Sequence, residues 1–323
     1  MFKKRKHVNR ILAVIEETVN KTTINDFRQY LSGLPTYSKW VICSDYCIDD
    51  PNKPNDTATF TIIPYYDDFN NIQTKISDIA PTDIKNTRSI RQDFLNYHKS
   101  GKIFHFAYIF GKRCNHVLKN HAKEDIVSYL NETIKMLEKW KINTPCNKDY
   151  FEKIIKKIKA LIQESNKKSF NQNLLKKIMI SNLLAAYTAY LLSKETKVEI
   201  IGWFSDRDEI ISSFQRIVFD FFHMNYHCLC DRDKIDDSKI KLVITDPTQN
   251  GNKNKLWYDE LNRLPDFITG TLSDFDFTKN IVSKAKFSTM LEGCIADNDK
   301  ISILKLYLVS GAFKCERVMV NNI

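Results

Sequence analysis

The chain has 323 residues, a hydrophobic fraction of 43% and a formal charge of +10 from 49 basic and 39 acidic side chains. That apolar content supports a sizeable core and excludes wholesale disorder, and eight Gly and eight Pro exclude a loop-rich or low-complexity protein. The positive balance favours polyanionic partners wherever it is concentrated on one face.

In chain order, residues 8–32 read as a helix with Ile11, Leu12, Val14, Ile15 and Val19 along one side. Tyr37–Asp45 is strand-like, a turn-rich stretch follows at Asp49–Asp56, and Thr57–Tyr65 alternates Thr with apolar residues, the pattern of a hairpin with a long connection. Ile103–Phe110 is a third strand candidate, so the sheet begins antiparallel. Between 122 and 194 the period is helical, over Glu124–Lys139, Asp149–Gln163 and Asn171–Ser193. A strand at 198–204, a helix from Asp208 to about Met224 and a strand at 240–245 then alternate in the β-α-β manner. Helices are expected near 258–272 and 278–292, and Ile301–Val309 is either helix or strand by its periodicity. With no internal repeat and no linker, residues 1–323 read as one α/β domain, with 115–196 as a helical insertion in it.

Four carboxylates mark the edges of these elements. Asp45 closes the first strand, Asp206 the strand at 198–204 and Asp246 the strand at 240–245, while Asp266 sits near the start of the late apolar helix, in Arg263-Leu264-Pro265-Asp266-Phe267-Ile268-Thr269-Gly270. Each has a plain structural use, because Asp at a strand end serves turns and helix caps, and an acid suits a first helical turn. As a set they have another. Mg²⁺ and Mn²⁺ take hard oxygen ligands, and a two-metal phosphodiesterase site needs several carboxylates converging from different elements. An antiparallel start, a β-α-β finish and Asp at strand ends fit a ribonuclease H-like architecture. Asp208 and Asp259 are reserves for a fourth ligand.

The segment Leu264–Gly270 resembles the Leu-Gln-Leu-Ala-Asp-Leu-Ile-Ala-Gly motif of a large uncharacterised bacterial family with a ribonuclease H-like fold. Phe204-Ser205-Asp206-Arg207-Asp208 is similar to the Ile-Asp-Arg that ends that family's middle strand. The resemblance implies that Asp206 and Asp266 are metal ligands and that Asp45 stands for the first Asp of the family's opening Asp-Glu-Ser-Gly. Here the chain departs from the pattern: it reads Ser44-Asp45-Tyr46-Cys47, without the adjacent Glu. The match rests on three short patches. It implies a metal-dependent nuclease, with a protein partner in a mobile-element or anti-phage defence system; the missing Glu leaves open an inactive nucleic-acid- or protein-binding subunit on the same fold.

Lysines of the helical region, Lys153, Lys156, Lys157, Lys176 and Lys177, are either a solvated face or a phosphate-contacting surface for DNA or RNA. His223, His227, Cys228 and Cys230 have zinc-type chemistry, but four ligands within eight residues crowd one tetrahedral ion, and a packed helix end is the simpler reading. Phosphate-binding loops, dinucleotide fingerprints and nucleophile elbows are absent from the sequence. The basic N-terminus, with Lys3-Lys4-Arg5-Lys6, has no apolar run behind it, and the most apolar stretch, Ile178–Leu192, carries Ser181, Asn182 and Thr188. No membrane association is expected, and a cytoplasmic location with reduced cysteines follows.

Overall fold

The computed structural model describes residues 8–110, 123–245 and 256–322. Its strands are β1 (Lys39–Cys47), β2 (Thr57–Pro64), β3 (Phe104–Ile109), β4 (Ile200–Ser205), β5 (Lys241–Ile244), β6 (Ile301–Val309) and β7 (Ala312–Val318). They form one mixed sheet in the order β5-β4-β1-β2-β3-β6-β7. The first three strands run antiparallel as a meander, β4 joins β1 in parallel and β5 joins β4 in parallel. On the other side β6 runs parallel to β3 and β7 returns antiparallel to it. The chain is therefore α/β.

Alternation along the strands loads both faces of the sheet. Trp40, Ile42, Phe60, Ile62, Phe104, Phe106, Ile201, Trp203 and Leu304 enter one apolar core. That core is completed by α1 (Val8–Thr18), α2 (Ile24–Ser32), α5 (Lys123–Asn143), α6 (Lys148–Ser165), α7 (Gln172–Glu195) and α9 (Ile217–Asp233). Helix α7 is buried on nearly every side from Leu175 to Leu192, which is why this stretch is so apolar without being a membrane span. Among the described residues no helix is long and apolar enough to cross a membrane. Val41, Cys43, Ile63, Ala107, Ile109, Phe204 and Ile303 enter the second core with α3 (Phe69–Ile79), α4 (Gln92–Lys99), α10 (Asp259–Asp274) and α11 (Ala285–Met290).

Several expectations change in detail. Helices α3 and α4 fill a stretch that periodicity had left unassigned; Ile72 and Ile76 are the buried residues of α3. The helix expected from Asp208 is broken: α8 (Glu209–Ser212) stops, Phe214, Gln215 and Arg216 turn through φ of 48°, 56° and 59°, and α9 then runs on to Asp233. The helix expected at 278–292 begins only at Ala285 and continues as a π-helical turn over Leu291–Ile295. The ambiguous tail is a β-hairpin. Val309 pairs with Ala312 across Ser310-Gly311, both at positive φ, the two-residue turn that suits strand twist.

Candidate functional site

Strand periodicity puts two of the aspartates side by side. Val41 and Cys43 point into the core under α10, so Asp45, two residues on, falls on that same face. In β4, Phe204 does likewise, and Asp206 follows it. Because β1 and β4 are parallel with Cys43 opposite Phe204 and Ser44 opposite Ser205, Asp45 and Asp206 leave the two strands in step. Adjacent strands lie about 4.8 Å apart. On the opposite face, the Trp203 indole N–H donates to Ser44 Oγ at 2.9 Å, which holds the register just before the acids.

Helix α10 is laid across this corner by contacts at both ends. At its start the Phe204 ring stacks on Tyr258 with centroids 5.1 Å apart, and the Tyr258 hydroxyl donates to the Ser205 carbonyl at 3.1 Å. At its far end Asn55 Nδ2 donates to the carbonyls of Leu272 (2.9 Å) and Phe275 (2.6 Å), and Thr57 Oγ1 donates to that of Thr269 (3.2 Å). So placed, α10 turns a stripe at helical spacing toward the strand ends: Asp259, Asn262, Asp266, Gly270 and Ser273. Pro265 is the seventh residue of α10, so Asp266 is not a first-turn acid. Its Oδ2 instead accepts the backbone N–H of Ile84 at 2.7 Å, from the loop that joins α3 to α4. That loop is pinned in turn. Lys286 Nζ donates to the carbonyls of Ile84, Lys85 (3.2 Å) and Thr87 (2.9 Å), and Arg263 donates to Ala80 O at 2.6 Å.

The result is a cavity of about 630 Å³ lined by Asp45 from β1, Asp206 from the end of β4 and Asp266 from α10. Nine carboxylates line it, against five cationic side chains, Lys53, Lys85, Lys177, Arg207 and Arg263. Lys53 pairs with Asp274 at 2.8 Å, Lys177 with Asp49 at 2.8 Å, and Arg263 approaches Glu260 at 3.7 Å. Negative charge is therefore concentrated here in a protein that is positive as a whole.

The carboxyl groups respond to that crowding. Burial first, then repulsion by Asp266 and Asp206, pushes Asp45 well above the usual carboxylate range. Asp206 is raised chiefly by desolvation, although the Arg207 N–H (2.6 Å to Oδ1) and the nearby Arg207 and Lys85 charges pull the other way. Asp266 is pushed up to about 7 by desolvation, with Asp83 and Asp206 adding to it and the Ile84 N–H opposing. Asp259 is raised by desolvation, held back by the N–H of Leu256, and raised further by Asp206. The local cations leave these acids undercompensated, and the donor set, all hard oxygen, is the kind that binds a divalent cation. Among the described residues, no group of three or more His, Cys, Asp or Glu side chains is already gathered as a ligand set.

Three of the four expected acids, Asp45, Asp206 and Asp266, thus meet in one cavity, and Asp246 lies outside the described residues, as does the Lys3–Lys6 cluster. Asp206 does not cap α8; Asp208 does, accepting the Ile210 N–H at 2.8 Å. The five lysines fall in different surroundings. Lys153 and Lys156 are exposed on α6, Lys157 pairs with Asp220 at 2.7 Å, Lys176 is buried, and Lys177 reaches the cavity. His227 Nδ1 lies 2.6 Å from Asp237, Cys228 Sγ lies 3.5 Å from the Met136 sulfur, Cys230 is buried, and burial pushes His223 down to about 4. Those contacts are the ones a packed helix end makes. Asn262, Lys85 and Lys286 escaped sequence reasoning. Asn262 was legible in principle, since it lies four residues before Asp266; the other two depend on how a loop folds back. No family model, curated protein or solved structure matches this chain.

Proposed function

We propose that the chain is a metal-dependent nucleic-acid phosphodiester hydrolase of ribonuclease H-like type, acting with Mg²⁺ or Mn²⁺. The observation that carries this reading is the convergence of Asp45, Asp206 and Asp266, from three separate elements, in one cavity where each lacks enough positive charge. The strand order supports it: an antiparallel three-strand meander extended by parallel β4 and β5 at its first strand, with the acids at the ends of β1 and β4 and on the covering helix. The family resemblance around Asp206 and Asp266 points the same way, and with it a place beside a partner in a mobile-element or anti-phage defence system.

Asp45, Asp206 and Asp266 would hold the cation, with Asp259 and Asp208 at the periphery. The bound ion supplies Lewis acidity and an acidified water. The protein does the positioning. The Ile84 N–H orients the Asp266 carboxylate, the β1–β4 register orients Asp45 and Asp206, and the exposed lining residues Lys85 and Arg207 would offer charge to a phosphate backbone.

A second reading is a binding subunit that has lost catalysis. Tyr46 occupies the place after Asp45 and donates its hydroxyl to Ser44 Oγ at 2.9 Å, a packing role where the resembled family carries a Glu. Labelled DNA and RNA incubated with Mn²⁺ separate the two. The nuclease reading expects cleavage by the wild type and a loss of 100-fold or more (about 3 kcal/mol of transition-state stabilisation) in both Asp206→Ala and Asp266→Ala. Equal cleavage by all three proteins, or by none, sinks it.

A further inference from the structure

A strip of aromatic rings leads away from the cavity along the second-core face of the sheet. Phe204 lies two residues before Asp206 on that face, and Trp257 two residues before Asp259, so the strip begins beside the acids. The Trp257 ring packs on Phe204 with centroids 5.0 Å apart, Phe69 follows at 5.9 Å, and Tyr65 lies 4.8 Å from Phe69. Tyr65 comes just after β2, where its N–H donates at 2.9 Å to the carbonyl of Lys39 at the start of β1. The rings therefore run from the end of the sheet that carries Asp45 and Asp206 toward the opposite end. Trp257 is 42% exposed and Tyr65 38%, whereas Trp40 and Trp203 are buried in the core. The rings that touch Trp257 meet it at 53° to 84°, so among the described residues no ring stacks flat on the indole. Large apolar groups left to water as a contiguous patch mark a binding surface.

Cations accompany the rings. Lys39 Nζ lies 5.9 Å from the Tyr65 centroid, and Lys102 Nζ lies 4.6 Å from that of Tyr66, the next residue along the chain. The acids beside them are hydrogen-bonded at the start of α3. Asp67 Oδ1 accepts from the Asp68 N–H (2.7 Å) and from Asn71 Nδ2 (3.0 Å), and Asp68 Oδ1 accepts from the Asn70 N–H (2.8 Å). Exposed rings with ammonium groups among them hold a single nucleic-acid strand: bases stack on the rings, and phosphates meet the cations. A duplex keeps its base faces inside and gains nothing from such rings. Protein interfaces use aromatic anchors too, but they are depleted in lysine. Resting on the nuclease reading of the adjoining cavity, we propose that Trp257 and Tyr65, with Lys39 and Lys102, form a track for one unpaired strand, so that the substrate is single-stranded nucleic acid. Trp257 takes the base nearest the cavity, and Tyr65 takes one farther out.

The test uses fluorescent oligothymidylate, oligouridylate and a mixed-sequence duplex of equal length. Binding is read by anisotropy in EDTA, and cleavage of the same probes in Mn²⁺. The wild type is expected to bind either single strand roughly tenfold more tightly than the duplex, with quenching of its indole fluorescence. Trp257→Leu and Tyr65→Leu should each weaken single-strand binding by roughly tenfold, the worth of one stacked base, and leave duplex binding as it was. Lys39→Gln and Lys102→Gln leave the rings in place and keep the idea testable should a ring variant not fold; each should flatten the salt dependence of single-strand binding. Duplex bound as tightly as single strand, ring variants that fold and bind like wild type, or an unaltered salt dependence in both lysine variants would each overturn the assignment. So would self-association that depends on Trp257 in place of nucleic-acid binding, which would make the strip an interface between copies of this chain. Cleavage of single strand and duplex alike, undiminished in Trp257→Leu, leaves the nuclease reading standing and the track refuted. Single-strand binding that depends on Trp257, without cleavage, does the reverse, and neither binding nor cleavage of any probe refutes both.

Discussion

Replacing Asp266 by Asn should stabilise the protein in the absence of metal. Asp266 is an acid whose folded pKa, about 7, lies above its ordinary value of 3.8. Between those values the folded state binds a proton that the unfolded state has released, so this group's contribution to stability is greatest below about pH 4 and falls as pH rises toward 7. A difference of about three pKa units corresponds to roughly 4 kcal/mol as an upper bound. The carboxyl group faces a cavity open to water, and halving that figure for screening leaves about 2 kcal/mol. Asparagine resembles the protonated acid, and its Oδ1 can still accept the Ile84 N–H. Urea titrations in EDTA from about pH 5 to pH 8.5 would show the wild type losing stability as pH rises, and Asp266→Asn about 2 kcal/mol more stable than wild type near pH 8. The variant's pH dependence should be shallower, since Asp45 loses one of the charges that raise it. Adding Mn²⁺ should stabilise the wild type and do much less for the variant. An Asp266→Asn protein no more stable than wild type at pH 8, or one with an unchanged pH slope, would refute the account of an undercompensated acid.

Two further substitutions probe how the loop between α3 and α4 holds Asp266. In Gly270→Ala the new methyl would meet Ile84 Cγ2 at 2.8 Å; a gain of about 1 kcal/mol in helix propensity is set against about 1–3 kcal/mol of overpacking. A modest net destabilisation is expected in thermal melts, with cleavage reduced because Ile84 carries the N–H that orients Asp266. Unaltered cleavage would contradict that linkage. Lys286→Met keeps the aliphatic stem and removes the ammonium that three loop carbonyls share, and should cost about 2 kcal/mol. Hydrogen exchange at residues 84–87 should quicken in this variant; unchanged exchange there would show that the loop is held by other contacts.

The α/β character of the chain was legible because strand and helix periods are local. Val41, Cys43 and Asp45 alternate in the sequence itself, and the three helices between 123 and 195 announce themselves through their apolar spacing. Where local signals were weak or the outcome was set elsewhere, reading failed. The tail became a hairpin because β6 had β3 to pair with, and Pro265 is tolerated inside α10 because tertiary contacts hold that helix at both ends. For the site, the sequence by itself determined which residues could carry the chemistry: aspartates closing two strands and another on a late apolar helix. Only the tertiary structure decided that Asp45, Asp206 and Asp266 share a cavity, that Asp208 and not Asp206 is the cap, and that Asn262 is left without a partner. The physical reason is that capping and strand-end acids are indistinguishable along the chain, and their surroundings depend on strand register and on residues some 180 positions away, such as Ile84 against Asp266.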